Sequence, residues 1–204
     1  MKVRIFWWGL LTLTLAGVSA ASVWKLFYRN RAEPSLPILG TVNDFTLIDQ
    51  SKRPITRQYL SGQIWVADFI YTECGDQCPR LSQKMEKIQT LLPKEARVQL
   101  LSISVDPAHD TPAVLSHYAQ RFHADPLRWR FLTGSPEKIH ALAENFKLAP
   151  RDSSSSSFTM NHSTRLMVVD ARSRIRGYYD GTDEAAVQRL MKDVSDLSNE
   201  GASQ

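Results

Sequence analysis

A strand pattern, a short polar loop and a helix pattern follow one another between residues 64 and 92, and the loop holds both cysteines of the chain. Residues 64–70 form an apolar run rich in β-branched and aromatic side chains, which is typical of a buried strand. Pro79 suits the first turn of a helix. Apolar residues then recur at helical spacing, at Leu81, Met85, Ile88 and Leu92. The cysteines are therefore predicted to lie between the end of a strand and the start of a helix.

Cys74 and Cys78 lie four residues apart in the polar sequence Cys-Gly-Asp-Gln-Cys-Pro. Residues at this spacing on a helical turn share a face, with Cα atoms about 6 Å apart, so the two thiols can close a disulfide. The same geometry lets both sulfurs bind one soft metal ion. A pair that only fills space in the core is disfavoured, because the turn around it is polar. The spacing leaves two chemistries open, reversible disulfide formation and metal binding.

The position of Cys78 predicts its acidity. Cys78 falls at or near the N-cap of the predicted helix, where unpaired amide groups and the helix dipole favour a thiolate over a thiol. We therefore expect Cys78 to be the more acidic of the two cysteines. Glu73 and Asp76 lie beside the pair, and their negative charge opposes thiolate formation but favours a bound cation.

The N-terminal segment predicts attachment to a membrane. Residues 5–24 carry no charge and are long enough, as a helix, to cross a hydrocarbon core about 30 Å thick. A signal peptide is the alternative, with Lys2 and Arg4 as its basic region. We favour an uncleaved anchor, because the apolar run continues to Trp24 and is followed by a basic and aromatic belt. A cysteine pair in such a protein fits an oxidising compartment, so we expect the folded domain on the extracytoplasmic, periplasmic side.

The net charge of +4 does not indicate nucleic-acid binding. Residues 1–31 hold five of the 25 basic residues and none of the 21 acidic ones, so the charges of the remaining chain nearly cancel. The expected organisation is a short tail at 1–4, the anchor at 5–24, a linker at 25–39, one folded domain at 40–198 and a disordered tail at 199–204.

Downstream of the linker, the patterns predict a mixed sheet with helices on both faces. Strand–helix–strand order implies parallel crossovers, and short turns imply antiparallel hairpins. The expected elements are a hairpin at 44–55, strands at 64–70, 98–105 and 128–132, helices near 80–92, after Pro112 and after Pro136, a second hairpin at 164–179 and a helix at 183–197. This order predicts an α/β, thioredoxin-like fold. A serine run at 153–157 is expected to form a surface loop.

The thioredoxin-like fold also predicts which distant residue meets the cysteines. In that fold the loop after the first central strand meets the loop before the second hairpin, which would bring His162 to Cys74 and Cys78. Other histidines are more often surface or packing residues than ligands, and this is the expectation for His109, His117, His123 and His140.

Three aspartates have structural interpretations. Asp106 and Asp110 are expected to form a turn or to cap the helix that Pro112 opens, with Thr111 as the other candidate cap. Asp68 is a polar residue in an apolar strand, and we expect it to be paired in the structure.

Five stretches of the chain carry a resemblance to a known family. They lie at 44–50 (Asp-Phe-Thr-Leu-Ile-Asp-Gln), 71–79 (from Tyr-Thr-Glu-Cys to Cys-Pro), 104–112 (Ser-Val-Asp-Pro and Asp-Thr-Pro), 129–134 (Trp-Arg-Phe-Leu-Thr-Gly) and 161–163 (Asn-His-Ser). Together they resemble the SCO (synthesis of cytochrome c oxidase) family of membrane-tethered, thioredoxin-like copper proteins, over about residues 40–195.

The resemblance implies a copper site made of Cys74, Cys78 and His162. It further implies copper delivery to the binuclear Cu-A site of cytochrome c oxidase, with the copper-bearing subunit of the oxidase as partner and another protein as copper donor. Thiol–disulfide work on the same target is a related role in the family. Two residues depart from the family pattern, because Gly75 replaces a proline and Asn161 replaces an aspartate.

The chemistry of these three residues agrees with copper. Two thiolates and one imidazole form a soft ligand set that suits Cu(I) and can hold Cu(II), whereas a structural zinc site needs a fourth ligand. Two alternatives stay open, a membrane-tethered thiol–disulfide oxidoreductase acting through Cys74 and Cys78, and a copper- or redox-sensing interaction module. A peroxidase is disfavoured, since cysteines four apart would trap each other as a disulfide. The sequence therefore favours a metallochaperone over an enzyme.

Overall fold

A computed structural model describes residues 36–93, 96–148 and 164–202 of the chain. The predicted anchor at 5–24, the serine run and His162 lie outside these residues, as does Asn161. Within the described ranges, none of the helices combines the length and the apolar character needed to cross a membrane.

The described residues form an eight-stranded mixed sheet flanked by helices. The strands are β1 (Gly40–Thr41), β2 (Thr46–Asp49), β3 (Pro54–Thr56), β4 (Ile64–Ile70), β5 (Val98–Ser104), β6 (Trp129–Thr133), β7 (Arg165–Val169) and β8 (Arg174–Asp180). The helices are α1 (Gln77–Leu91), α2 (Pro112–Arg121), α3 (Pro136–Asn145) and α4 (Glu184–Ala202). Across the sheet the strand order is β1-β8-β7-β4-β5-β6-β2-β3.

Parallel pairing at the centre of the sheet confirms the predicted crossovers. Strand β4 pairs in parallel with β5, and β5 with β6. Both predicted hairpins are present, because β2 pairs antiparallel with β3 and β7 pairs antiparallel with β8. The sheet has the predicted thioredoxin-like α/β architecture. The two-residue strand β1 was not expected, since so short a segment carries no periodic pattern.

The central strand β4 is buried on both faces and separates two apolar cores. Alternate side chains of a strand point to opposite faces, so Val66 and Ile70 join one core while Trp65 and Phe69 join the other. Helices α1, α2 and α4 cover the first face, and α3 covers the second. Full burial of one such side chain contributes about 1.5–3 kcal/mol. Cys74 and Cys78 belong to the first core.

Helix boundaries differ from the expected ones at two ends. Helix α1 starts at Gln77, with Asp76 as its N-cap residue, so Cys78 is the second helical residue. Helix α4 continues past the expected end at Leu197 to Ala202. The predicted cap of α2 is confirmed, because the Thr111 hydroxyl accepts a hydrogen bond from the amide of Val114 at 3.4 Å.

Candidate metal centre

The loop between β4 and α1 buries both thiols. Cys74 and Cys78 are 8% and 7% exposed, and both are free cysteines. The amide of Cys74 bonds to the carbonyl of Tyr71 at 3.3 Å, which turns the chain after β4. The amide of Cys78 then donates to the sulfur of Cys74 at 3.3 Å. The two cysteines therefore lie close together, as predicted, and the Cys74 sulfur contacts the first turn of α1.

The expectation that Cys78 is the more acidic cysteine is wrong. Burial raises the pKa of Cys78 to about 12, and the neighbouring Cys74 and Asp68 add to this rise. Burial also opposes ionisation of Cys74, but hydrogen bonds from the amides of Cys78 and Asp76, the Cys78 thiol and the Tyr71 hydroxyl outweigh it and hold the pKa of Cys74 below its ordinary value. The helix therefore supplies its free amide groups to the first sulfur, while the second sulfur faces the apolar core.

Asp68 lies in β4 on the same face of the sheet as the cysteine core, and it is fully buried. We expected it to be paired, but neither carboxylate oxygen has a hydrogen-bonding partner among the described residues. Ser102 lies opposite Asp68 in the parallel register, and its hydroxyl already accepts from the indole of Trp129 at 2.9 Å. Burial raises the pKa of Asp68 to about 7, and the nearby Ser102 hydroxyl offsets only part of this effect.

Asp110 has a role that the sequence did not indicate. It is 1% exposed, and its carboxylate accepts hydrogen bonds from the Thr72 amide at 3.2 and 3.3 Å and from the Thr72 hydroxyl at 2.5 Å. It also accepts from the Ser104 hydroxyl at 2.5 Å. Of the two roles expected for Asp110, the cap is wrong, because the cap of α2 is Thr111. The turn is supported, since the Asp110 amide donates to the Asp106 carbonyl at 2.8 Å. Asp110 also joins the cysteine loop to the end of β5.

The charged residues around the loop are solvated and partly neutralised. Asp76 is exposed and pairs with Arg80 at 2.8 Å. The exposed ring of His109 lies 2.7 Å from Asp106, and this carboxylate, with Glu73 as a weaker neighbour, raises the pKa of His109. The expectation that Asp106 serves a local turn is supported, since its carbonyl accepts from the amides of His109 and Asp110.

Two other histidines lie beside glutamates. His123 lies 2.8 Å from Glu86, and His140 lies 3.5 Å from Glu144.

Among residues 36–93, 96–148 and 164–202 there is no group of three or more potential ligands placed to hold a metal ion. Of the three predicted ligands, Cys74 and Cys78 lie among the described residues and His162 does not, and the binding of a metal by all three remains a prediction.

Neither Asp68 nor Asp110 could be assigned its environment from local pattern. One partner of Asp110, Thr72, lies 38 residues earlier in the chain, and the isolation of Asp68 results from packing on both sides of β4. The signal that was available was the polar residue type itself, because a carboxylate in an apolar run has to be explained by a partner or by a shifted pKa.

A thioredoxin-like sheet with two buried, inequivalent thiols between a central strand and a helix defines a dithiol protein of the thioredoxin-like class. The SCO1/SenC family model matches residues 38–198. The chain therefore belongs to the SCO1/SenC family.

Solved structures of relatives agree with this assignment. A SCO1/SenC family lipoprotein from Bacillus anthracis is 28% identical, with 82% of this chain and 98% of that chain covered and a TM-score of 0.68. BsSco, a member of the Sco family of cytochrome c oxidase assembly proteins in which a disulfide switch has been identified, is 26% identical, with 82% and 99% covered and a TM-score of 0.70. ScoI of Bradyrhizobium japonicum with copper bound is 26% identical, with 75% and 99% covered and a TM-score of 0.61.

Proposed function

We propose that this protein is a membrane-anchored copper carrier that delivers copper to the Cu-A site of cytochrome c oxidase during assembly. The observation that carries the proposal is the buried pair of Cys74 and Cys78, with the Cys74 sulfur held by the amide of Cys78. The copper-bound relative from Bradyrhizobium japonicum supports copper as the cargo. The membership of BsSco in the cytochrome c oxidase assembly proteins supports the target.

The proposed copper ligands are Cys74, Cys78 and His162. Two thiolates suit Cu(I), and an added imidazole allows Cu(II) to be held as well. The lowered pKa of Cys74 favours the thiolate that a metal requires. A bound cation would also offset the cost of ionising Cys78, whose thiol is otherwise kept neutral by burial. A site with three protein ligands leaves room for a ligand of the acceptor to attack before the old ones leave.

The proposed setting is the outer face of a membrane. Residues 5–24 would form the anchor and residues 25–39 the linker, with the folded domain on the periplasmic side. The relative from Bacillus anthracis is a lipoprotein, which supports attachment to a membrane. The proposed partners are an upstream copper donor and the copper-bearing subunit of the oxidase.

The proposal is tested by loading the full-length protein, in detergent micelles, with Cu(I) under anaerobic conditions. Wild type is expected to retain one copper per chain after desalting, and Cys74→Ser, Cys78→Ser and His162→Ala are expected to retain less. His123→Ala is the matched control, because His123 is an exposed histidine paired with Glu86 on the surface. Copper retention by His162→Ala equal to that of wild type would remove His162 from the site.

A second function is favoured by a specific observation, the inequality of the two thiols. A Cys74 of lowered pKa beside a Cys78 of raised pKa is the arrangement of a thiol–disulfide oxidoreductase, in which one thiolate attacks and the other cysteine resolves the mixed disulfide. The disulfide switch of BsSco supports this chemistry. Reductase activity that requires both cysteines and survives His162→Ala would favour this function. Loss of reductase activity in His162→Ala alone would count against it.

A further inference from the structure

One buried carboxylate joins the two loops at the carboxyl ends of β4 and β5. The Asp110 oxygens divide their partners, since Oδ1 accepts from the Thr72 hydroxyl at 2.5 Å while Oδ2 accepts from the Ser104 hydroxyl at 2.5 Å. The Thr72 amide lies within 3.3 Å of both oxygens. Every one of these donors comes from outside the segment that carries Asp110, so the carboxylate works between loops and not within a turn.

The position of Thr72 gives this contact its importance. Thr72 stands two residues before Cys74, in the turn where the Cys74 amide bonds to the Tyr71 carbonyl. The sulfur of Cys74 in turn accepts from the amide of Cys78. Asp110 therefore bonds to a residue inside the turn that places Cys74, and the Cys74 sulfur contacts the first turn of α1.

The other end of the contact is rigid. Ser104 is the last residue of β5, and its hydroxyl accepts from the Asp106 amide at 3.0 Å while donating to Asp110. The amide of Asp110 is fixed by the Asp106 carbonyl at 2.8 Å. Because the cap of α2 is supplied by Thr111, the Asp110 side chain is not needed to start that helix.

We propose that Asp110 is a positioning residue, which holds the Cys74–Cys78 loop in its metal-binding and disulfide-forming geometry through Thr72. The inference rests on the proposed function where copper is concerned, but its effect on the dithiol does not. Hydrogen bonds that orient the ligands of a metal contribute about 10–100-fold to metal affinity. A loop that holds two thiols together also favours their disulfide, because it raises their effective concentration.

Asp110→Asn tests the proposal sharply. The asparagine side chain has one acceptor oxygen and one donor NH₂ group, so it can accept hydrogen bonds at only one of the two positions. At the other position its NH₂ group meets a hydroxyl or amide that is itself a donor. In the full-length protein, we expect Cu(I) affinity, measured by competition with a chromophoric Cu(I) chelator, to fall about 10–100-fold. We also expect the metal-free dithiol to form its disulfide less readily in glutathione buffers, with an equilibrium constant lowered by at least about threefold.

A conservative pair at Thr72 keeps the test decisive if Asp110→Asn fails to fold. Thr72→Val removes the hydroxyl donor at nearly constant volume and is expected to change both readouts in the same direction. Thr72→Ser keeps the donor and is expected to stay within about twofold of wild type. Identical behaviour of the two Thr72 variants would overturn the proposal.

Asp49→Asn is the matched control. Asp49 is also a buried aspartate that accepts from backbone amides, those of Ser51 and Arg53, but it lies in the β2–β3 hairpin. We expect Asp49→Asn to lower the free energy of unfolding while leaving copper affinity and the glutathione equilibrium unchanged. A fall in stability for Asp110→Asn with both of these readouts unchanged would reduce Asp110 to a structural residue. Failure of wild type to bind Cu(I) would instead defeat the proposed function, and the glutathione equilibrium would still decide the role of Asp110.

Discussion

The backbone amide of Cys78 donates a hydrogen bond to the sulfur of Cys74 at 3.3 Å. This contact explains why the two thiols differ, although they lie one helical turn apart. The Cys78 amide is one of the free amides at the start of the helix, and such amides favour an ionised group. It donates to Cys74, which precedes the helix. The side chain of Cys78 meets the apolar core, where desolvation raises its pKa.

The first prediction concerns the reactivity of the two cysteines. At pH 7.5, the Cys78→Ser variant, which keeps Cys74, is expected to react with iodoacetamide at least about tenfold faster than the Cys74→Ser variant, because only the thiolate attacks. The pH dependence of the faster rate should have its midpoint below that of an ordinary thiol, because the pKa of Cys74 is lowered. Both variants should react at similar rates in denaturant. Faster alkylation of Cys78 in the folded protein would contradict this account.

The second prediction concerns Asp68 and pH. The pKa of Asp68 is raised to about 7 in the folded protein, so folding favours its protonated form. Its contribution to stability is complete below the pKa of the unfolded chain, about 3.9, and is lost as the pH rises through about 7. Asp68→Asn has no charge to bury. Since one pKa unit corresponds to about 1.4 kcal/mol, the variant is expected to gain up to about 4 kcal/mol relative to wild type between about pH 4 and pH 9.

Urea unfolding of both proteins at several pH values measures this difference. The control is Asp76→Asn, because Asp76 is exposed and lies at the surface beside Arg80. A stability difference between Asp68→Asn and wild type that does not change with pH would show that the buried carboxyl does not titrate in this range.

The sequence predicted the elements whose signals are local. Strand β4, the apolar stripe of α1 and the Thr111 cap follow from periodicity and capping, which depend on neighbouring residues. The acidity order of the cysteines could not be predicted, since it depends on which sulfur the helix amides face and which one the core surrounds. The contact between Asp110 and Thr72 depends on two loops meeting across parallel strands. Local sequence could therefore indicate only a turn or a cap for Asp110.

The third prediction compares Gly75, in the cysteine loop, with Gly181, which lies beside Leu81 of the first core. A methyl group at Gly75 would meet nothing within 4 Å, whereas one at Gly181 would collide with the Leu81 side chain and lie 3.0 Å from the Thr164 carbonyl. Gly75→Ala is expected to raise the free energy of unfolding by about 0.4–1 kcal/mol, because it restricts the unfolded chain without strain. Gly181→Ala is expected to lower it by about 1–3 kcal/mol through overpacking.

Thermal or urea unfolding of the two alanine variants measures these changes. Copper retention should be unchanged in Gly75→Ala, since the substituted position is exposed and an added methyl group meets nothing within 4 Å outside its two chain neighbours. Destabilisation by Gly75→Ala would show that this loop needs the conformational freedom of glycine, and would make the departure from the family's proline functionally significant.

The last prediction compares two arginines that donate to the same oxygen of Asp170. Arg174 Nε lies 2.7 Å from Oδ2 with 30% of its side chain exposed, and Arg176 Nη1 lies 2.8 Å from it with 2% exposed. Arg176 also donates to the carbonyl of Leu36 at 2.6 Å. Arg176→Met leaves Arg174 beside Asp170 but removes the buried partner of that carboxylate and a donor to the Leu36 carbonyl. It is therefore expected to cost about 3 kcal/mol of unfolding free energy. Arg174→Met is expected to cost about 1 kcal/mol or less, because solvent can replace an exposed partner. Equal losses in urea unfolding would show that burial does not set the strength of these pairs.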